Sequence, residues 1–453
     1  MNHTITPQSD GWTAFIRRHG WVILFALFLV TRGGLFLAIR PWDEGRRATH
    51  FLVSDAAEYY WTARNMLAGH NYSSSPAPPY PSDATRTPLY PLFLATIIRG
   101  IGDSVAVVVL MQMLLQLGTI ALVYAGARRL FSDVTAFCLA LYCVLDPVYA
   151  VMSGVVYSET LHQVFNVVFA YALVRGVRGG FTVAGAVCIG LFFGLGLLTR
   201  PFALYLAPMV LFVIIASERT LGALGKSAVA AACALVVLFP WLHRNAEVFG
   251  TWSMSSVDGT SLQKFYMAPF LAAREGLSLE AARARLATET PEFGNPFERG
   301  AFIKRQTVEI IRRHPLQYAV FHLTSAWPAL TGSNSEALEY LLSAQGVAGR
   351  NGDERPPPRQ LWRFALIGGN LALLAALYGS FALGLWRLFR DRQWLQLLLL
   401  ASALAYLPAI TGPMSSSRYR LGVVPFLLYG AGVGLQWVEQ RDRGRSGELS
   451  CVA

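Results

Sequence analysis

Long stretches of apolar residues without a single formal charge constrain this chain more than any other feature. Residues 104–127 form one such stretch, and 201–217, 227–242, 364–386, 393–410 and 421–438 form others. Residues 179–199 and 160–174 carry no acid, lysine or arginine, 134–152 is broken only by Asp146, and 21–39 only by Arg32. A helix needs about 20 apolar residues to cross the hydrocarbon core of a bilayer. These ten stretches reach or approach that length. Helices are expected rather than strands, because a membrane β-strand alternates in polarity and is about half as long.

Composition agrees. The 453 residues are 54% hydrophobic and only 14% charged, against about one quarter charged for an average soluble protein. Intrinsic disorder and an ordinary water-soluble enzyme are both excluded. The net charge of +11 comes from 38 Lys and Arg against 27 Asp and Glu. The basic residues sit in short clusters between the apolar runs, which is how membrane proteins fix orientation and not how a nucleic-acid surface is built.

Basic loops are expected in the cytoplasm. They are Arg17/Arg18, Arg128/Arg129, Arg175/Arg178, Arg219/Lys226, Arg387/Arg390/Arg392 and Arg441/Arg443/Arg445. Alternate crossings then place 40–103, 153–158, 199–200, 243–362 and 411–420 outside. The resulting layout is a cytoplasmic N-terminus over 1–20, a membrane domain over 21–438 and a cytoplasmic tail over 439–453. Residues 318–331 are apolar enough to cross, but a crossing there would put the later basic loops on the wrong side, so the segment reads as interfacial or re-entrant. The first run follows Arg17, Arg18 and His19 as a signal peptide would. Its length, and the lack of a small-residue cleavage site before Arg32 and Arg40, read as a retained anchor. Cys138, Cys143, Cys188 and Cys233 fall inside expected spans and Cys451 in the tail, so no disulfide framework is implied. Gly190 and Gly194 read as a helix-packing pair.

Two outer loops, 40–103 and 243–362, are too long to be connectors. In the first, Tyr59, Ala63, Met66 and Leu67 fall on one face of a helix over 55–70, with Ser54 as its expected cap and Gly69 ending it. Residues 88–98 read as a second short helix. Both would lie along the membrane surface. In the second loop, 277–287 and 302–313 read as surface helices.

The ionisable residues at membrane level are not scattered. Asp55 and Glu58, Asp146, Glu159, Arg200, Arg244, Arg418 and Arg420 all collect at the outer ends of spans. Such groups are costly in a membrane and mark function by default. A carrier would place its polar site near the midplane. Carboxylates mixed with guanidiniums at one face suit a different task. A carboxylate can take a proton from an acceptor hydroxyl or amine, and arginine grips a leaving phosphate in a bidentate fork.

The sequence around these residues resembles a known family. Ser54-Asp55-Ala-Ala-Glu58-Tyr59-Tyr60, Ala63-Arg-Asn65-Met-Leu67-Ala-Gly69-His70 and Arg86-Thr-Pro88-Leu-Tyr90-Pro91 are similar to the first outer loop of the C-superfamily membrane glycosyltransferases. The branch is that of bacterial aminoarabinose transferases and protein O-mannosyltransferases. Ser158-Glu159, Leu198-Thr-Arg200-Pro201, Pro240-Trp241-Leu-His-Arg244-Asn245 with Phe249-Gly250, and Arg418-Tyr419-Arg420 extend the likeness over most of residues 20–435. The resemblance implies an all-α polytopic membrane protein with a C-type helical bundle and amphipathic juxtamembrane helices in the first outer loop. It implies transfer of a sugar from a polyprenyl-phosphate donor at the outer face of a bacterial plasma membrane. Asp55 would be the general base, Arg86 a contact to the donor phosphate, and Arg200, Arg244, Arg418 and Arg420 further phosphate or sugar contacts. Glu159 would be a second chamber carboxylate. The acceptor, a lipid, glycan or protein, is not implied. Ala56 stands where many relatives carry a second acid, which leaves sugar type and metal dependence open.

Each residue also has a plainer reading. Asp55 is well placed for the dipole of its own helix, and Glu58 for solvating it. Asp43 and Glu44, flanked by Arg40, Arg46 and Arg47, read as an interfacial salt cluster. The arginines at span ends could be snorkelling anchors. Tyr59, Tyr60, Tyr90 and Trp241 are interface-belt aromatics or sugar-stacking rings. Glu159 and His162 share a helix face, but no further ligands accompany them, so no metal or other cofactor is expected. The alternatives to a monophosphate-donor transferase are a ligase or polymerase using a diphosphate lipid, a carrier for an amphiphilic anion, and a non-catalytic assembly subunit.

Overall fold

The computed structural model describes residues 11–218, 220–343 and 361–450. Arg219, the 344–360 part of the large loop and Cys451 lie outside the described residues, as do the side chains of Arg443 and Arg445. All regular structure among the described residues is helical.

Every expected span coincides with a helix, but they are not equal. Six helices are long and apolar enough to cross a membrane unaided: Gly11–Ile39, Val105–Arg128, Pro201–Glu218, Leu221–Phe249, Trp362–Arg390 and Trp394–Met414. A seventh is the pair Asp133–Leu145 and Pro147–Gly154, bent by 50° at Asp146. Pro147 has no N–H to give the first half, so the helix breaks. The Asp146 carboxylate then caps the second half, accepting from the Val148 and Tyr149 amides at 2.7 and 3.1 Å.

The other three expected spans are weaker by composition or length. Val183–Thr199 has 17 residues. Val424–Ser450 runs on into its charged tail. Glu159–Gly179 carries a polar stripe, Glu159, Gln163 and Asn166, that is buried rather than exposed. The stripe holds a neighbouring segment: Gln163 Nε2 donates to Leu421 O at 2.8 Å and Asn166 Nδ2 to Gly422 O at 2.9 Å. Gly190 packs against the Ala230 carbonyl of the helix Leu221–Phe249, where a Cβ has no room, so the small-residue pair is a helix contact.

The ends of the helices sort into two groups, as alternate crossings require. At one end Arg17 and Arg128 both bind Asp133, at 2.8 and 2.7 Å, Arg178 reaches Leu130 O at 3.1 Å, Ser132 meets Glu439, and Lys226 pairs with Glu218. The long loops gather at the other. The first span is part of the bundle: it buries Gly20, Leu24, Phe28 and Arg32. Arg32 donates to Gln116 Oε1 at 2.7 Å and Val144 O at 2.7 Å.

The first loop contains the helices Asp55–Leu67 and Leu89–Gly100. Ser54 does not cap the former through its side chain; its backbone adopts φ 51°, and its carbonyl receives the Ala57 amide at 3.1 Å. Gly69, at φ 76°, turns the chain away after the helix as expected. The second loop includes Leu279–Thr288 and Pro296–Arg313. The latter starts earlier than expected because Asn295 caps it and Pro296 opens it. Residues 318–331 form no continuous span: Pro315–Ser325 and Trp327–Thr331 are separate short helices, with Leu316, Val320, Leu323 and Trp327 largely exposed.

Candidate active site

Where the loop helix Asp55–Leu67 meets the bundle, three acids and three arginines from four distant parts of the chain converge. Arg86 Nη2 donates to Asp55 Oδ1 at 2.7 Å, and Arg86 Nε donates to Glu58 Oε2 at 2.7 Å. Glu58 lies one turn after Asp55 on the same helix face, so one guanidinium spans both acids. From the far end of the sequence, Arg418 Nη1 reaches Asp55 Oδ2 at 3.2 Å. The same nitrogen lies 3.7 Å from Glu159 Oε1, which Arg200 Nη1 approaches to 2.5 Å.

Aromatic faces hold the guanidiniums in place. Arg86 lies over Tyr59 at 5.1 Å. Arg418 lies over Tyr157 and Tyr419 at 5.3 and 5.2 Å, and Arg200 over Phe202 and Tyr419, both at 5.5 Å. Rings in this position fix a cation without neutralising it, which leaves its remaining N–H groups for a ligand. The Ser158 hydroxyl lies 3.1 Å from Tyr59 Oη and accepts from Arg200 at 3.5 Å.

The electrostatics are balanced and tense. Burial pushes the Asp55 carboxyl up, but Arg86, Arg418 and Arg200 more than offset it and hold the group at about 2. Arg86 and Arg418 are raised above the ordinary arginine value: burial opposes their charge, and the neighbouring tyrosines and carboxylates outweigh it. Burial lifts the Tyr157 phenol to about 12. Glu159 is 2% exposed; both of its ion pairs fall on Oε1, and Oε2 accepts no hydrogen bond. A buried carboxylate in that state has unused acceptor capacity.

The comparisons with known proteins bear on this arrangement. Residues 85–243 match the family described as dolichyl-phosphate-mannose-protein mannosyltransferase. No curated protein sequence matches the chain. Among solved structures, the archaeal oligosaccharyltransferase AglB of Archaeoglobus fulgidus, in complex with an inhibitory peptide and a dolichol-phosphate, aligns with TM-score 0.52 and 15% identity over 97% of this chain and 52% of that one. The apo oligosaccharyltransferase of the same organism aligns with TM-score 0.53 and 16% identity, over 98% of this chain and 53% of that one. The fold is the C-type helical bundle expected from the sequence, shared with these two archaeal structures. The sequence match to the mannosyltransferase family covers residues 85–243, about a third of the chain, and includes Arg86, Glu159 and Arg200 of the cluster. The chain spans about half the length of the archaeal enzymes. ArnT from Cupriavidus metallidurans bound to undecaprenyl phosphate aligns with TM-score 0.43 and 15% identity, over 94% of this chain and 79% of that one.

Not every residue singled out in the sequence comes to this cluster. Asp55, Arg86, Glu159, Arg200 and Arg418 do, with Tyr59 as the platform beneath Arg86. Arg420 does not: it is fully buried, pairs with Asp146 at 3.2 Å and donates to Leu330 O and Gly332 O. Side chains two apart in the 3-10 segment Ser417–Gly422 point to different surroundings, so Arg418 and Arg420 part company. Arg244 is also occupied elsewhere. It donates to Asp83 O at 2.7 Å and sits among the Tyr72, Trp241 and Phe249 rings, where it staples the first loop to the helix Leu221–Phe249. Tyr60 serves a separate group, donating to Asp103 at 2.9 Å and accepting from Arg47 at 2.7 Å. Tyr90 is buried and donates to Gln112 at 2.6 Å.

The expected salt cluster around Asp43 and Glu44 is dispersed. Asp43 caps the turn Glu44–Arg46, Arg47 turns chiefly to Asp103 at 2.5 Å, and Arg46 donates to the Leu341 and Ser343 carbonyls. Glu58, read as a solvating residue, belongs to the site. Tyr157 and Ser158 also line it, and only their position beside Glu159 hinted at that. His162 faces Gly196 O and Thr199, at 3.2 and 3.1 Å, away from Arg418. Among the described residues no three His, Cys, Asp or Glu side chains are placed to hold a metal ion.

Proposed function

We propose that the protein transfers a single sugar from a polyprenyl-phosphate donor to an acceptor hydroxyl or amine, at the outer face of a bacterial plasma membrane. Asp55 is the general base, and Arg86, Arg418 and Arg200 receive the phosphate. The observation that carries this reading is that both oxygens of Asp55 are held by arginines from opposite ends of the chain. Base and phosphate ligands are therefore the same interlocked unit.

In the free protein the Asp55 carboxyl is a poor base, because its two guanidinium partners hold it near 2. A donor phosphate diester brings one negative charge and competes for Arg86 and Arg418. As they turn to it, an Asp55 oxygen is released and becomes more basic. The acceptor oxygen or nitrogen then attacks C1 of the sugar while its proton passes to Asp55. The bond from C1 to the phosphate oxygen breaks, and its electron pair leaves on the phosphate, which gains a second negative charge. The arginines freed from Asp55 stabilise that charge as it develops. One displacement inverts C1. Glu159, with unused acceptor capacity, is suited to sugar hydroxyls.

The lipid chain has a suitable berth. An apolar groove of about 620 Å³ runs along the helix Val105–Arg128, lined by Phe93, Met111, Leu114, Gly118 and Val164. Phe93 stacks with Tyr90, Tyr90 contacts Tyr59, and Tyr59 supports Arg86. The groove therefore begins a short chain of rings from the phosphate contact. The dolichol-phosphate of the archaeal oligosaccharyltransferase complex supports a lipid-phosphate donor.

One observation favours a second reading. Both oligosaccharyltransferase structures match this fold over nearly its whole length, and a transferase of whole glycans from a diphosphate lipid would use the same arginines. Turnover by purified protein of a panel of polyprenyl monophosphate sugars, against diphosphate-linked oligosaccharides, decides between them. Product from a monophosphate donor, lost in Asp55→Asn, is the expected result; product from diphosphate donors alone overturns the proposal.

A further inference from the structure

The site's arginine at the far end of the chain has to be held in place by something, and the structure shows what. Arg418 lies in the short 3-10 segment Ser417–Gly422, ahead of the last helix. Such a segment is too short to be rigid by itself. It is pinned from below at several points. Arg420 Nη2 donates to Asp146 Oδ2 at 3.2 Å, and Arg420 Nη1 to Leu330 O and Gly332 O, both at 3.1 Å. Asp146 has no spare capacity for movement: its other oxygen caps the helix Pro147–Gly154, and Oδ2 also accepts from Tyr142 Oη at 2.5 Å. The pair is 0% and 1% exposed. On the other flank, Gln163 and Asn166 hold the Leu421 and Gly422 carbonyls, from the same helix that presents Glu159.

We propose that Asp146 and Arg420 are positioning residues: locked at the kink of the broken span, they aim Arg418 at Asp55 and Glu159 and so set affinity for the phosphate group of a lipid monophosphate. They touch no substrate. The inference rests on the reading of Arg418 as a phosphate ligand, and adds that a buried ion pair beneath it determines how well it binds. A guanidinium displaced by about an ångström loses on the order of 10- to 100-fold of its effect.

Asp146→Asn alone would strand the Arg420 charge, so the test removes both charges together. In Asp146→Asn/Arg420→Gln, the Kd for polyprenyl monophosphate and the KM for the donor should rise roughly tenfold or more, and kcat should fall with them because Arg418 also stabilises the leaving phosphate. A merely structural role would lower the active fraction and leave both constants in place. The same pair of changes made on Arg418→Gln should weaken binding no further, because the two act through one guanidinium. Asn166→Leu, which releases the other end of the segment without touching the ion pair, should shift Kd the same way by less, and covers the case in which the paired variant does not fold. If Arg418→Gln weakens binding but neither Asp146→Asn/Arg420→Gln nor Asn166→Leu does, or if the paired change and Arg418→Gln add, the positioning inference is overturned alone. If Arg418→Gln itself leaves the Kd unchanged, the phosphate reading of the site falls with it.

Discussion

Two ion-pair clusters in this protein use the same chemical groups and are built for opposite ends. Around Asp55, three acids and three arginines are each partly open to solvent or share partners, and no carboxylate depends on one arginine alone except Glu58. Around Asp146, one acid and Arg420 are sealed from solvent, with two backbone carbonyls accepting from Arg420 Nη1. The lesson is about desolvation. A pair that must exchange partners with a ligand has to remain near water and near substitutes. A pair that only fixes geometry can be buried, because its partners never change.

The largest contrast should appear in stability. Asp146→Ala leaves Arg420 buried without a counter-charge and uncaps the helix Pro147–Gly154, and breaking a buried pair by removing one partner costs about 3–5 kcal/mol. Asp55→Ala leaves Arg86 with Glu58 and Arg418 with Glu159, so its arginines remain partnered. Thermal unfolding in detergent should show a large loss for the first and a smaller one for the second. Equal losses would erase the distinction between the clusters.

The order reverses for activity. Asp55→Asn keeps the shape of the side chain and cannot accept a proton, so turnover should fall about 10²- to 10⁴-fold with the fold intact. Initial rates with a saturating donor, alongside the unfolding midpoint, check both halves of that statement. An Asn variant with more than half the native rate would move the base to Glu58 or Glu159.

Much of this was legible in the sequence, for identifiable reasons. Apolar runs declare spans because bilayer thickness sets their length, and charged residues at the ends of those runs stand out against an uncharged background. Asp55, Glu159, Arg200 and Arg418 stand out in that way, whereas Arg86, in the middle of the first loop, is marked only by the family resemblance. What failed was direction. Arg418 and Arg420 are two residues apart and equally polar, and only the tertiary packing of Ser417–Gly422 sends one to the site and the other to Asp146. Glu58 reads as a solvated helix residue until Arg86, from 28 residues on, arrives to share it. The polar stripe Glu159, Gln163 and Asn166 lowers the apolar character of its helix, and the partners of Gln163 and Asn166 are backbone carbonyls near residue 421 that sequence proximity does not reveal. Ser54 has the right side chain for a cap, yet its positive φ points the hydroxyl elsewhere.

The exchange of arginines between Asp55 and phosphate also has a pH signature. Asp55 is depressed in the folded protein, at about 2 against an ordinary 3.8. Its stabilising pairs are therefore complete above pH ~4 and are lost as pH falls through about 2. Free enzyme governs kcat/KM and bound enzyme governs kcat. With Arg86 and Arg418 redirected to the phosphate, Asp55 is less depressed, so the acid limb of kcat should lie at higher pH than that of kcat/KM. Glu58, Glu159 and Tyr157 face the same space, with Arg200 between Glu159 and Tyr419. Glu58→Gln should leave the separation of the two limbs in place, whereas coincident limbs in the native enzyme would mean that Asp55 keeps its partners throughout.

The smallest effect belongs to a third cluster that resembles the site only in sequence. Tyr60 stands one residue from Tyr59, yet it serves Asp103 together with Arg47 and Arg64, where it helps fasten the first loop to the start of the helix Val105–Arg128. Tyr60→Phe removes one hydrogen bond from a carboxylate that keeps two arginines, and one acceptor from Arg47, a loss of about 0.5–1.5 kcal/mol for each bond. It should lower the unfolding midpoint slightly and leave donor KM and kcat unchanged. Tyr59→Leu, which removes the ring beneath Arg86, should instead raise donor KM while keeping a side chain in the same packed space. The two adjacent tyrosines thus test whether the platform under the arginine, and not the aromatic content of the loop, matters to the donor: equal effects on KM would remove Tyr59 from the site.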